Sequence, residues 1–177
     1  MLSRWRAGAA AIGHAPAPMA SDFILSELRG AGLDRLEALY ARAQDLSQPP
    51  RGLWRGTTLR RLQNPGARRA LYAGSERLLF EWIPWGIDFD RGRWFFFHPA
   101  LGAGSFELRA QRSRWRQTDT FGLHYERSRL PGPIRGLLYD EVKPLSPAWM
   151  IGIGGIDAGR DQGDHFFYVV ERIEEAG

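Results

Sequence analysis

From Arg51 onward, apolar and polar residues alternate in short runs, and most runs end in turn chemistry. In Thr120–Arg127, Phe121, Leu123 and Tyr125 share one side, while Gly122, His124 and Glu126 share the other. In Phe106–Arg112, Phe106, Leu108 and Ala110 oppose Glu107, Arg109 and Gln111. A period of two is the mark of a strand. The same reading predicts strands at Gly52–Leu62, Arg68–Tyr72, Arg77–Trp82, Arg93–His98, Trp115–Thr118, Ile134–Val142, Trp149–Gly154 and His165–Ile173. Asn64-Pro65-Gly66, Gly74-Ser75, Asp90-Arg91-Gly92, Pro131-Gly132-Pro133 and Asp157–Asp164 separate them. Each of these breaks carries the residues that turns need. Strand starts recur about every ten to fifteen residues, which suits an antiparallel sheet and not βαβ units. The expected fold is mainly β: an up-and-down barrel or curved half-barrel of about 8–10 strands.

The period differs before the prolines. Ser21 or Asp22 can cap a short helix through Leu28 that ends at Gly30. Leu33, Leu36 and Tyr40 then fall on one helical stripe, and Gln48-Pro49-Pro50 stops it. This lead, residues 21–48, is expected to pack against an end of the sheet. Residues 1–20 read as a disordered tail ahead of a single domain over 21–177. Arg4 and Arg6 with Ala7–Ile12 mimic a signal peptide, but the apolar stretch is short and Gly8 interrupts it. A cytoplasmic protein is therefore expected, with secretion or a periplasmic location as the alternative. No segment approaches the ~20 apolar residues of a membrane span.

Two features bear on what the sheet encloses. Trp94, Phe96 and His98 oppose Phe95 and Phe97, so both sides of one strand are aromatic. In Ile151-Gly152-Ile153-Gly154 the glycines share a face. They leave room for a neighbouring ring, a barrel corner or a ligand.

Composition narrows the classes. At 44% apolar residues the chain is globular. With no cysteine it has no disulfide, thiolate metal site or cysteine nucleophile. The net charge is +4, carried almost wholly by arginine, with Lys143 the only lysine. The arginines run from Arg4 to Arg172 and mix with acids, whereas nucleic-acid binding wants charge gathered on one face.

Gly52-Leu53-Trp54, opening the first strand after a helical lead, resembles the lipocalin and calycin group. The resemblance implies that Trp54 packs across the closed end of a barrel, with Arg172 above it as a cation–π partner. Gly52-Leu53-Trp54-Arg55-Gly56 is also similar to the opening of nitrobindin-type barrels, which would imply haem held by His165. The further glycines and the Tyr-Pro pair of that opening are absent.

Other constellations are bland. His98, His124 and His165 lie on separate strands, with no zinc-like spacing. The three aspartates of Asp157–Asp164 lack the EF-hand pattern. Tyr139-Asp140-Glu141 could supply a buried carboxylate with a tyrosine, and no nucleophile elbow or phosphate-binding loop is present. The reading is non-covalent binding of an apolar or amphipathic small molecule inside the barrel, with neither metal nor cofactor. Expected wall residues are Trp82, Trp94, Phe96, Phe106, Leu108, Tyr125 and Met150, with His124, Arg135 and Tyr139 as polar anchors. One alternative is a barrel isomerase, cyclase or dehydratase using His124 with Tyr139 or Glu126. Another is an interaction domain with a filled core, meeting partners through Trp82–Trp85 and Trp94–Phe97.

Overall fold

The computed structural model describes residues 21–43, 48–62, 82–136, 138–156 and 164–173. The tail over 1–20, the expected strands Arg68–Tyr72 and Arg77–Trp82 (save Trp82 itself), and the acidic loop over 157–163 lie outside these residues. The chain forms two compact units, Met1–Gly30 and Ala31–Gly177. The first carries helix α1, Ser21–Gly30.

The second unit begins with α2, Leu33–Arg42. Nine strands follow: β1 Leu53–Leu62, β2 Trp85–Asp88, β3 Arg93–Phe96, β4 Gly102–Ser105, β5 Glu107–Arg112, β6 Asp119–His124, β7 Leu138–Ser146, β8 Trp149–Ile156 and β9 Asp164–Arg172. A single turn of helix, α3 Gly132–Arg135, precedes β7. All strand pairs are antiparallel, in the order β4-β3-β2-β1-β9-β8-β7-β6-β5. The two ends of that order, β4 and β5, are joined through Phe106 alone. The run Gly102–Arg112 thus bonds β3 with its first part and β6 with its second. The result is a nearly closed up-and-down antiparallel barrel.

Gly52 shows why the chain enters β1 as it does. Its φ of +83° suits a residue without a Cβ. Its N–H donates to Asp90 Oδ2 at 3.1 Å and its carbonyl accepts from Phe89 N–H at 3.0 Å. The β2–β3 turn is thereby tied to the start of β1.

Alternation places one set of side chains inside. Trp54, Trp85, Ile87, Trp94, Phe106, Phe121, Leu123, Tyr125, Val142, Met150, Phe166 and Tyr168 belong to one buried cluster. The space beside the inward glycines is taken up by the protein's own groups. A Cβ on Gly152 would lie 2.1 Å from the Tyr168 ring, and one on Gly154 would lie 2.3 Å from Asp140 Oδ1 and 3.0 Å from Phe166. Of the three readings of these glycines, the neighbouring ring holds.

Helix α2 does not pack against an end of the sheet as expected. It lies on the outer face: Leu36 and Tyr40 are fully buried, and the Tyr40 ring meets Phe167 edge-on at 6.1 Å. Leu33, on the same predicted stripe, is partly exposed.

Several element boundaries differ from the sequence reading. Trp115–Thr118 is not a strand but part of the β5–β6 connection, because Ser113 Oγ accepts the N–H groups of Trp115 and Arg116 and turns the chain. Ile134 starts no strand. The N–H of Arg135 bonds to Pro131 O and that of Gly136 to Gly132 O, and Pro133 is tolerated because the first turn of a helix needs no N–H donors. Two short strands, β2 and β4, lie where no strand was expected, around Gly86 and over the run Gly102-Ala103-Gly104.

Candidate functional site

One inward row crosses five strands. Leu108 on β5 pairs with Leu123 on β6, Leu123 with Asp140 on β7, Asp140 with Gly154 on β8, and Gly154 with Phe166 on β9. Asp140 is the only charged member of an otherwise apolar row. The Tyr125 hydroxyl donates to its Oδ2 at 2.5 Å. Trp94 Nε1–H in turn donates to the Tyr125 oxygen. Among the described residues nothing donates to Asp140 Oδ1, although the residue is only 6% exposed.

Burial raises the Asp140 carboxyl to about 7, with the nearby Glu141 charge adding to the rise and the Tyr125 hydrogen bond opposing it. Burial also pushes the Tyr125 and Tyr168 hydroxyls well above their ordinary range. Both stay protonated and serve as donors. Tyr168 uses its proton on the Glu141 carbonyl at 3.1 Å. A buried acid poised near neutrality among rings is the arrangement that marks functional sites.

The interior has an accessible side. Phe96, Leu108 and Leu138 pack against the buried cluster yet stay partly open to solvent. β3 ends at Phe96 and β7 begins at Leu138, so both stand at the same end of the barrel, here called the mouth.

A second polar network covers the outer face. Glu141 is fully buried there. It accepts from Tyr40 Oη at 2.9 Å, Tyr139 Oη at 2.8 Å, Ser113 Oγ at 2.5 Å and the Arg114 N–H at 2.5 Å. Gln111 Nε2 donates to Tyr139 Oη at 2.5 Å, and Gln111 Oε1 lies 2.6 Å from His124 Nε2. Since the amide oxygen only accepts, His124 Nε2 carries the proton. The β5–β6 connection acts as a strap over this face. Trp115 stacks on His165 at 5.4 Å and 10°, Arg114 sits 3.9 Å over the Tyr139 ring, and Arg116 holds Glu37 of α2 through two hydrogen bonds. Lys143 is buried beside Tyr40, with Nζ donating to Thr118 at 2.8 Å, and burial lowers its pKa.

The residues singled out from the sequence divide by these two faces. Trp94, Phe96, Phe106, Leu108, Tyr125 and Met150 belong to the inner set or pack against it. Trp82 is 76% exposed and stands apart from it. His124 and Tyr139 meet edge-on at 5.7 Å, with Glu126 Oε1 at 3.3 Å from His124 Nδ1, but on the outer face. The residues of the enzyme reading thus come together away from the interior. Arg135 sits on α3, not on a strand, and donates to Ser128 O at 3.1 Å. Of the expected interaction patches, Trp85 and Trp94 are buried, while Trp82 and Phe97 are exposed. His165 has one ring face stacked under Trp115. The described residues hold no cluster of three or more groups able to bind a metal ion. None of their helices is long and apolar enough to cross a membrane.

The polar group that alternation did not select is Asp140. Its signal was present: if Phe121, Leu123 and Tyr125 face inward, the β7 residue opposite Leu123 must do so too. The register between β6 and β7 is what sequence alone does not provide.

At the closed end, Trp54 and Arg172 stand directly opposite each other on β1 and β9. Trp54 is buried, meets Phe89 edge-on at 6.2 Å and donates Nε1–H to Arg51 O at 2.8 Å. A Trp54–Arg172 cation–π contact is not among those made by the described residues.

No family model matches this chain, and no curated protein does. A protein from Thermomonospora curvata of known crystal structure is similar in fold, with a TM-score of 0.50 and 17% identity over 86% of this chain and 95% of that one. Identity at that level shows the fold alone.

Proposed function

We propose that the barrel is a lipocalin-like carrier that binds, without covalent chemistry, an apolar small molecule bearing one hydrogen-bond donor. The molecule enters at the mouth, past Phe96, Leu108 and Leu138, and places its donor on Asp140. The observation that carries this reading is Asp140 Oδ1, a carboxyl oxygen in a ring-lined interior that accepts from none of the described residues. A ligand hydroxyl or ammonium donating to that oxygen would add a hydrogen bond to a charged or polar acceptor in a largely apolar setting. Few polar anchors in an aromatic wall is the usual composition of small-molecule sites.

The test is displacement of a fluorescent apolar dye by octanol, octylamine and octane. Octanol and octylamine are expected to displace better than octane. Asp140→Asn should abolish the advantage of the amine, and Gly154→Ala, whose Cβ falls on the carboxyl, should weaken all three. Equal displacement by all three in the wild type, or none, would defeat the proposal.

A second reading rests on the same carboxyl. Its position near neutrality, with Tyr125 as a neighbouring donor, suits a general acid–base group. Turnover of a bound compound that ceases in Asp140→Asn while binding persists would favour that reading over a carrier.

A further inference from the structure

The closed end of the barrel holds a cleft with its own chemistry. One part, of about 330 Å³, is lined by Pro49, Trp54, Pro144, Pro147 and Met150, among others. A wider part, of about 680 Å³, is bordered by Leu53, Asp90, Ala148 and Ile173. Arg51, Pro147 and Arg172 line both, so two guanidinium groups stand where the parts meet.

Those two cations differ. Arg51 Nη1 is 3.8 Å from Asp90 Oδ1, and the Asp90 carboxylate also accepts the Gly52 N–H. Arg172 is solvent-accessible, and among the described residues its guanidinium makes no ion pair or hydrogen bond. Register sets it beside Trp54, whose indole N–H is already used on Arg51 O. The ring therefore offers the cleft apolar surface and no further donor. Among the described residues Asp90 is the only acid lining the cleft, and it borders the wider part alone, beside Arg51.

We infer that this cleft binds an apolar carboxylate, with its hydrocarbon chain against Trp54, Met150, Pro144 and Pro147 and its carboxylate on Arg172 and Arg51. The narrow part decides the ligand class. Besides Gln48, Ser146 and the two arginines, its lining is ring, thioether and proline, which reward a hydrocarbon and give an inorganic anion no contact beyond that polar rim. The guanidinium fork matches a carboxylate in two-point geometry. The Asp90 carboxylate disfavours the wider part for an anion and directs the head group toward Arg172. The site is separate from the mouth and from Asp140, and it does not depend on the carrier reading.

Met150 supplies the probe. The chain has three methionines, and Met150, on β8, is the one among the described residues, so its ε-methyl is followed in protein labelled with ¹³C-methyl methionine. Octanoate should shift that signal saturably. Arg172→Gln should weaken binding by about tenfold, the scale of a lost charge-assisted pair, and Arg172→Lys should restore part of it. Arg172 is exposed, so these variants should fold, which an unshifted starting Met150 signal verifies. Asp140→Asn should leave the titration unchanged, and a change there would assign the shift to the barrel interior and overturn the inference. Octanol shifting the signal as strongly as octanoate in Asp140→Asn protein, which lacks the interior anchor, would remove the carboxylate from the site. Inorganic phosphate competing as well as octanoate would make it a plain anion site. Either result, or a Met150 signal that does not move, overturns the inference.

Discussion

The Tyr125 hydroxyl donates a hydrogen bond to Asp140 across 2.5 Å inside the barrel, the two residues coming from the end of β6 and the start of β7. The pair is what burial allows. An isolated carboxylate in an apolar interior is costly, so the group keeps its proton to a higher pH and takes the nearest donor.

A pH dependence follows, with a definite sign. Asp140 titrates at about 7 when folded and near 3.8 when unfolded. Between these values the folded chain binds more protons than the unfolded chain, so stability falls as pH rises. The contribution of the neutral carboxyl is whole below about pH 4, and its loss is complete above about pH 7. The loss is on the order of a few kcal/mol. Urea unfolding of wild type and Asp140→Asn across that range measures it. The difference between the two should grow in favour of the variant as pH rises. A difference that does not vary with pH would mean that Asp140 titrates as an ordinary carboxyl.

Gly152→Ala is expected to destabilise strongly. The new methyl would lie 2.1 Å from the Tyr168 ring carbon and 2.5 Å from its hydroxyl oxygen. Ring and strand must both move, and the hydrogen bond from Tyr168 to the Glu141 carbonyl is strained with them. Overpacking of this kind costs typically 1–3 kcal/mol or more. Combining it with Tyr168→Leu should recover much of the loss, which distinguishes a steric clash from a backbone effect.

Glu141→Gln tests the outer network. The carboxylate accepts from four donors supplied by α2, β7 and the strap. An amide offers one acceptor oxygen and brings two hydrogens of its own, so at least two donors lose their partner. A loss of about 2–4 kcal/mol is expected in chemical denaturation. A change below about 1 kcal/mol would show that the strap is held by Trp115 and Arg116 instead.

Phe97 sits at φ +62° with its ring 66% exposed. A bulky residue in the left-handed region is strained, and this one recovers little by burial. Asn tolerates that backbone better. Phe97→Asn is therefore expected to be neutral or stabilising by up to about 1 kcal/mol in thermal melts. A clear loss would mean that the ring packs on something in solution.

How far the sequence carried this reading depends on the kind of question. Alternation placed Phe121, Leu123, Tyr125, Phe106 and Leu108 on one face, and they do share the interior. The Gly-x-Trp opening led to Trp54 and its opposite residue Arg172. Local pattern sufficed there, because each strand reports its own two sides. It did not suffice for β2 and β4: Trp85–Asp88 is too short for alternation to show, and Gly102–Ser105 has no β-forming residue and is held as a strand by its neighbours. Nor did it select Asp140 over Tyr139. That choice turns on which residue stands opposite Leu123, a relation between segments. His124 failed as an interior anchor for the same reason in reverse, its strand position being odd to that of Tyr125.

Phe106 has a consequence for how the molecule behaves in company. A sheet with two free margins invites a stranger's backbone to dock there, and such docking can propagate into fibrils. Here the outermost strands are one covalent run with a single residue at the bend, so the seam offers no long bare ladder for recruitment. A proline at position 106 would lose the N–H that bonds Gly92 O at 2.7 Å, and the seam would begin to part.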